Sequence, residues 1–345
     1  MGFSKLSAPL LFIAGLCSAA EVTLSEAQQQ FRSEMNARVQ ELEKKNASVF
    51  AGPDGWLFLA SELRFLAHGQ FWGEAARSSR AKAGDPLPAI LDFQRQLKER
   101  GIELLLVPVP PKAAVYPEKF SAAARVTTAS APYLHAFYDE LRASGVEVID
   151  LMPIFTANRE QTRGAMFCAT DSHWSGVGCA VAAAAIAQRV RAKLPSLPAR
   201  TDYVTDWKEI AITGDLSGLL GSRASKPGAE KIAVRAVAEK GKGSAAQPDA
   251  ESPVLLMGDS HTLVFHDFLA ERAGLLDQLA AELGFAPDLI GTRGSGATAV
   301  RVSLYRKTRS DPGYLAKKKM IIWCFAAREF TESDQGWVLQ PVAAK

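Results

Sequence analysis

Hydrophobic residues recur along this chain at changing spacings, and the changes lay out its elements. In "LSEAQQQFRSEMNARVQELEKKN", residues 24–46, Leu24, Phe31, Met35, Val39 and Leu42 fall on one helical stripe with charges opposite, which predicts an amphipathic helix. "AGPDGWLFL" follows, a Pro-Asp-Gly turn leading into an apolar strand. After Pro86 the pattern alternates. "LPAILDFQRQLKERG" predicts a helix ended by Gly101, and "IELLLVPV" a continuous apolar strand. "APYLHAFYDELRASG" is a second such helix, with Leu134, Phe137 and Leu141 at helical spacing, and "VEVIDLM" a second strand. A helix through "VGCAVAAAAIAQRVRAKL" comes next; "PVLLMGDSHTLVFHDFLAERAG" reads as strand, turn and helix, and "KKKMIIWCF" as a late buried strand. Unbroken apolar strands between amphipathic helices predict an α/β fold, a parallel sheet with helices on both faces.

Residues 195–250 break this rhythm. "PSLPAR" and "GKGSAAQPDAESP" are linker-like, while "AEKIAVRAVAE" alternates like a strand, so an inserted, partly β subregion is expected here. No internal repeat is visible. At the N-terminus, Lys5 precedes the short apolar run "APLLFIAGLC", and "CSAAE" offers small residues for cleavage around Ala19 or Ala20. Leu16 stands before Cys17 where a lipoprotein signal would want a small residue. The expected organisation is therefore a signal peptide over residues 1–20, an amphipathic helix over 21–48 and one α/β domain over 49–345. That predicts a periplasmic protein, with an uncleaved membrane anchor as the alternative.

Composition narrows the picture only slightly. With 48% hydrophobic and 22% charged residues the 345-residue chain has ample material for a large core, and a formal charge of +3 is too slight to imply nucleic-acid binding. No CxxC or HxxxH spacing points to a metal site.

The candidate chemistry lies at two predicted strand-to-helix junctions. "PVLLMGDSH" puts Gly258, Asp259 and Ser260 at the carboxyl end of an apolar strand, the edge where open α/β sheets bind ligands. A serine there is exposed at a tight turn, and amides of the following helix start can stabilise an oxyanion. Such a serine needs a base. "CATDSHWSGVGC", residues 168–179, supplies His173, with Asp171 placed to fix its tautomer and stabilise the imidazolium. Each motif alone has a bland reading, a common Gly-Asp-Ser turn and a helix cap by Asp171 or Ser175. Together, Asp171, His173 and Ser260 make a complete triad. Asp259 reads as ordering the turn. His68 and His135 read as packing residues; His261 and His266 line the pocket or lie on a helix surface.

Cys168, Cys179 and Cys324 remain after removal of the leader, an odd number for an oxidising compartment. Cys168 and Cys179 bracket the motif as either a stapling disulfide or two separate buried thiols, and the disulfide is taken as the expectation, with Cys324 free.

These motifs occur together in a known order. "GPDGWLFLASELRF", "VPVPPKAAVYPEKF", "TDSHWSGVGC", "LLMGDSHTLVFHDFL" and "IIWCFAAREFTE" resemble, over roughly residues 49–338, the alginate O-acetyltransferase AlgJ/AlgX family, whose catalytic domain is SGNH-hydrolase-like. The order Asp171, His173, Ser260 and the Asp-X-His spacing match that family, whereas ordinary SGNH hydrolases put the serine first. The resemblance implies a flavodoxin-like sheet and transfer of acetyl to hydroxyls of an exported polysaccharide through an acetyl-serine, with Asp171, His173 and Ser260 as the triad. It adds Arg293 as a pocket residue and Gly294, in "GTRGSGA", as the source of a second oxyanion amide beside that of Ser260. Arg64, Lys112 and Arg328 also match family positions, where internal salt bridges are the plainer reading. Trp174 and Trp72 are candidate stacking surfaces for a sugar ring, with core packing as the alternative. A membrane-bound acetyl-donor protein is the implied partner; neither a metal nor an organic cofactor is required. The Gly-Asp-Ser triplet looks closer to hydrolytic relatives, which keeps a carbohydrate O-acetylesterase as one alternative. A non-catalytic glycan-binding component of an exopolysaccharide complex is another.

Overall fold

A computed structural model describes residues 22–82, 84–121, 130–194, 196–221 and 227–344. The signal peptide expected over residues 1–20 lies outside the described residues. Among the described residues nine strands run in chain order: β1 (Val49–Ala51), β2 (Leu57–Leu59), β3 (Glu103–Val109), β4 (Glu147–Val148), β5 (Tyr203–Ile212), β6 (Glu230–Glu239), β7 (Val254–Gly258), β8 (Asp288–Gly291) and β9 (Met320–Ala326). Five of them form one sheet in the order β4-β3-β9-β7-β8, and every neighbouring pair is parallel. The apolar runs seen in the sequence are its central strands, β3, β9 and β7, and every residue of β7 and β9 is buried.

Successive residues of a strand face opposite sides of the sheet. Trp323 packs on Phe93 of the helix Pro86–Lys98, with ring centroids 5.2 Å apart. Its neighbour Cys324 faces the other way, within electrostatic reach of Cys179 on the helix Gly176–Lys193. Both faces are thus covered, as all-parallel sheets require.

The N-terminal helix, Glu26–Lys44, starts at a capping box in which Ser25 and Gln28 satisfy each other's amides. Met35 and Leu42 of its apolar stripe are buried, and Phe31 and Val39 pack against the core. Among the described residues no helix is long and apolar enough to cross a membrane.

Two expected elements turn out differently. "VEVIDLM" contributes only the two paired residues of β4, because the Asp150 carboxylate accepts from the Met152 amide and starts the helix Leu151–Asn158. After Ser260 the helix is one turn, Ser260–Leu263, not a long helix through Arg272. Phe265, Leu269 and Arg272 have positive φ, and local bonds such as Phe265 N–H to Phe268 O replace the helical ladder until the helix Leu275–Leu283. The inserted subregion is a two-stranded antiparallel ribbon in which β5 and β6 pair from Tyr203↔Glu239 to Ile212↔Glu230.

Candidate active site

The carboxyl edge of the sheet brings the two motifs together. Gly258 ends β7 hard against β9; a Cβ there would fall 1.8 Å from the Cys324 carbonyl, so only glycine fits. Asp259 then caps the single turn that opens with Ser260. One of its carboxylate oxygens accepts from His261 N at 2.9 Å, and the other from Ala326 N at 2.7 Å. Burial opposes the Asp259 charge, yet the His261 ring and the Ala326 amide hold its carboxyl at about 2. Asp259 therefore ties the end of β7 to the end of β9 and fixes where Ser260 stands. Not all of the amides expected to be free at this turn are so: His261 N is bound to Asp259 Oδ1, and Thr262 N to Asp259 O at 3.0 Å.

The second motif is a tight reversal. Phe167 and Trp174 form an antiparallel bridge, Cys168 N donates to His173 O at 3.2 Å, and Ser175 N donates to Met166 O at 2.9 Å. Ser175, not Asp171, caps the helix Gly176–Lys193, accepting from Val177 N and Gly178 N. That leaves Asp171 for His173. Its Oδ1 lies 2.6 Å from His173 Nδ1 and 3.0 Å from His173 N, and His173 Nε2 lies 2.7 Å from Ser260 Oγ. Asp171 is 1% exposed and His173 6%, with Ser260 half-buried. Burial alone would raise the Asp171 pKa, but the hydrogen bond and charge of His173 and two backbone amides hold it down to about 2. With the carboxylate ionised, Nδ1 carries the imidazole proton and Nε2 is free to accept the Ser260 hydroxyl.

The loop carrying Asp171 is held from beneath by Lys112. Its fully buried Nζ donates to the carbonyls of Cys168 at 2.9 Å, Ala169 at 3.3 Å and Asp171 at 2.7 Å. Burial pushes the ammonium pKa down, and the charge of buried Glu62 opposes that shift. Glu62 in turn lies 3.6 Å from Arg328, and Arg64 pairs with Glu332. Of the three family-matched basic residues, the two arginines thus make internal ion pairs, whereas Lys112 caps backbone carbonyls.

Of the two roles open to Trp174 and Trp72, sugar stacking or core packing, the burial of both rings fits core packing. Trp174 is wholly buried, its ring edge-on to His261 at 5.3 Å, and Trp72 lies inside the Phe71–Phe137 cluster. The expected Cys168–Cys179 disulfide is likewise absent. Both thiols are free and buried: Cys168 Sγ is turned toward the Trp174 carbonyl at 3.6 Å, while Cys179 lies on the sheet-facing side of its helix. Cys324 is free and buried as well.

Arg293 is exposed and stacks over the Phe268 ring at 4.6 Å; that ring meets His173 edge-on at 5.7 Å. Gly294 follows at φ 95°, exposed. The next residues are anchored by a buried carboxyl: Ser295 Oγ donates to Glu329 Oε2, and Ala297 N reaches the same oxygen at 3.4 Å. Burial raises the Glu329 pKa to about 7.

His261 lies against His173, the two rings 4.8 Å apart. Burial lowers the His261 pKa against the opposing pull of Asp259, whose Oδ1 lies 3.1 Å from the His261 Nδ1. The remaining histidines serve other contacts, His68 with Ser78, His135 with Asp150 and His266 with Asp277.

Two acidic residues of the site are invisible to motif spacing, because the inserted ribbon delivers them. Asp215 N donates to Asp171 Oδ2 at 2.9 Å, while the Asp215 carboxylate accepts from Ser172 N and Ser172 Oγ. Glu230 accepts from Ala169 N, Thr170 N and Thr170 Oγ1. Asp171, His173 and Asp215 offer ligand atoms within 4.8 Å of one another, close enough to share a cation. Each of those carboxylate oxygens already accepts a hydrogen bond from this network.

Comparison with known proteins follows this geometry. A protein of Pseudomonas aeruginosa named "Probable alginate O-acetylase AlgJ" is 29% identical over 173 residues, which cover 50% of this chain and 41% of that protein. The alignment thus spans well under half of that relative's length. The structure titled O-acetyltransferase domain of Pseudomonas putida AlgJ superposes with a TM-score of 0.63 at 23% identity, over 82% of this chain and 92% of that one. Pseudomonas aeruginosa AlgX superposes at 0.60 with 17% identity, over 91% of this chain and 70% of that one. These likenesses carry the SGNH-hydrolase-like α/β fold. Residues 49–325 match the family described as "SGNH hydrolase-like domain, acetyltransferase AlgX", and the chain belongs to that family.

Proposed function

We propose that this protein is an O-acetyltransferase that moves acetyl groups onto hydroxyls of an exported, alginate-like polysaccharide through an acetyl-Ser260 intermediate. The observation that carries the reading is the unbroken line from Asp171 Oδ1 to His173 Nδ1, 2.6 Å, and from His173 Nε2 to Ser260 Oγ, 2.7 Å. Ser260 Oγ attacks the donor's acetyl carbonyl as His173 Nε2 takes its proton. The tetrahedral intermediate collapses, the donor's leaving group takes that proton from His173, and acetyl-Ser260 remains. A sugar hydroxyl then gives its proton to His173 and attacks the acetyl carbon, and Ser260 regains its proton as the ester leaves. Asp171 stays ionised throughout and stabilises the imidazolium. The amides of Ser260 and Gly294 are assigned to the oxyanion. Arg293, exposed beside Phe268, is assigned to a uronic-acid carboxylate on the acceptor. The expected setting is the periplasm, with a membrane-bound protein delivering the acetyl group.

The test is transfer against hydrolysis. Water at ~55 M takes the acetyl group unless a sugar hydroxyl is positioned, and good positioning is worth effective molarities of ~10⁵ M or more. With an activated acetyl ester and acidic oligosaccharides, mass spectrometry is expected to find most of the acetyl on sugar. Ser260→Ala should lower turnover by ~10⁴-fold or more, since triad members act as a unit. Arg293→Ala should return the acetyl flux to water while sparing attack on the small ester. Release of polymer-bound acetate, with no oligosaccharide ever acetylated, would replace the transferase with an esterase.

A further inference from the structure

The inserted ribbon is placed to do more than decorate the sheet. Its two strands end together at the pair Ile212↔Glu230, so Gly214 and Asp215, just past β5, and Glu230, at the start of β6, leave the ribbon at one end. That end lies on the loop 169–172. Asp215 and this loop hold each other reciprocally: Asp215 N to Asp171 Oδ2 at 2.9 Å, Ser172 N to Asp215 Oδ1 at 2.7 Å, and Ser172 Oγ to Asp215 Oδ2 at 2.6 Å. Glu230 gathers the preceding amides, Ala169 N at 2.7 Å and Thr170 N at 2.8 Å, and Thr170 Oγ1 at 2.7 Å. From residue 169 to 172 the backbone amides are thereby turned toward two carboxylates of the ribbon, apart from that of Asp171 itself.

Contact is close enough to exclude a side chain. A Cβ on Gly214 would fall 2.1 Å from Thr170 O and 2.6 Å from Asp171 N. The chemical consequence sits on Asp171. A carboxylate that orients an imidazole must not rotate about its own Cβ–Cγ bond. The Asp215 amide occupies Oδ2, which leaves Oδ1 for His173 Nδ1. Resting on the triad assignment above, we infer that Asp215 and Glu230 are positioning residues for the Asp171–His173 pair, and that the inserted ribbon is part of the reaction machinery.

Three variants of the full-length protein test this: Asp215→Ala, Asp215→Asn and Gly214→Ala. Each is assayed for kcat and KM on an activated acetyl ester and for the downfield Nδ1–H proton resonance of His173, which reports the bond to Asp171 whatever the reaction. Misplacement of a catalytic group by an ångström costs about 10²-fold, so Asp215→Ala and Gly214→Ala should each lower kcat by about that factor. KM should stay within about twofold, and the Nδ1–H signal should broaden or move upfield. Both Asp215 variants keep the backbone N–H that donates to Asp171 Oδ2, so the alanine tests the side-chain anchor of that amide; Asp215→Asn keeps an acceptor for Ser172 N, and should recover most of kcat and of the signal. Gly214→Ala reaches the same end by pushing the loops apart without removing a polar group, so it decides the matter if Asp215→Ala fails to fold. An unchanged kcat and an unchanged Nδ1–H signal in a folded Asp215→Ala or Gly214→Ala would overturn the inference, whatever the melting temperature does. Full turnover in Ser260→Ala would instead remove the triad reading, and the resonance would still decide the role of Asp215.

Discussion

Replacing Lys112 by methionine keeps the volume and the apolar stem but removes the three donors beneath the loop that carries Asp171. Ala169 O loses least, because it also accepts Leu57 N at 2.8 Å. The carbonyls of Cys168 and Asp171 have Lys112 Nζ as their donor, at 2.9 and 2.7 Å, in a fully buried setting. An orphaned buried carbonyl costs about 1–3 kcal/mol. Against that loss stands a gain, since the variant no longer strips water from an ammonium group. Glu62 adds little to the cost: burial already raises its pKa, so it can take a proton when its cationic neighbour goes. The balance is a destabilisation of about 3 kcal/mol, a large part of the 5–15 kcal/mol that a domain commonly has. Urea unfolding followed by tryptophan fluorescence measures it. The midpoint should fall at unchanged slope, and turnover should fall further than the folded fraction, because the freed carbonyl belongs to Asp171. A loss below about 0.5 kcal/mol, within the range of neutral surface changes, would show that Lys112 does not hold this loop.

Two further outcomes follow from buried groups other than Asp171 and His173. Glu329 has its pKa raised from 4.5 to about 7, so the folded state binds the extra proton, and its contribution is present below the unfolded value and lost as pH rises through about 7. The wild-type protein should therefore lose up to about 3 kcal/mol between about pH 5 and pH 8 from this group; Glu329→Gln should flatten that slope, and an equally steep slope in the variant would refute the assignment. Non-reducing mass analysis should find Cys168, Cys179 and Cys324 all as thiols, and alkylation should be slow until the protein is unfolded, since all three are buried; a mass two hydrogens lighter, on a peptide linking residues 168 and 179, would restore the staple.

The sheet was legible wherever burial leaves a periodic trace. β3, β7 and β9 are continuous apolar runs because each has helices on both faces, and the helix Glu26–Lys44 shows its stripe because only one side packs. Legibility fails where local capping competes with pattern. Asp150 turns an apolar stretch that reads as strand into a helix start. The apolar residues after Ser260 look helical, yet Phe265 is buried at φ 64°, a turn that hydrophobicity cannot report.

The site divides in the same way, and the division has a physical reason. Asp171 and His173 bond across two residues, a distance that sequence shows directly, and Ser260 declares itself by standing where a strand meets a turn. The groups that hold these three are distant in the chain: Lys112 acts across 59 residues on Asp171 O, Asp215 across 44 on Asp171 Oδ2, and Glu230 across 60 on Thr170 N. Asp215 and Glu230 belong to no motif, and Lys112 lies in a family-matched stretch that does not disclose its role, because each works through backbone amides or carbonyls that every sequence possesses. The disulfide expectation and these clamps answer one structural need, a rigid loop between residues 168 and 173. A cysteine pair would have met it covalently. The fold meets it with one buried ammonium below the loop and two carboxylates above it, so that loop carbonyls face a cation and loop amides face anions. Such a clamp can be loosened one hydrogen bond at a time, so graded substitutions at 112, 215 and 230 should scale with the order of Asp171, whereas a staple would only be present or broken.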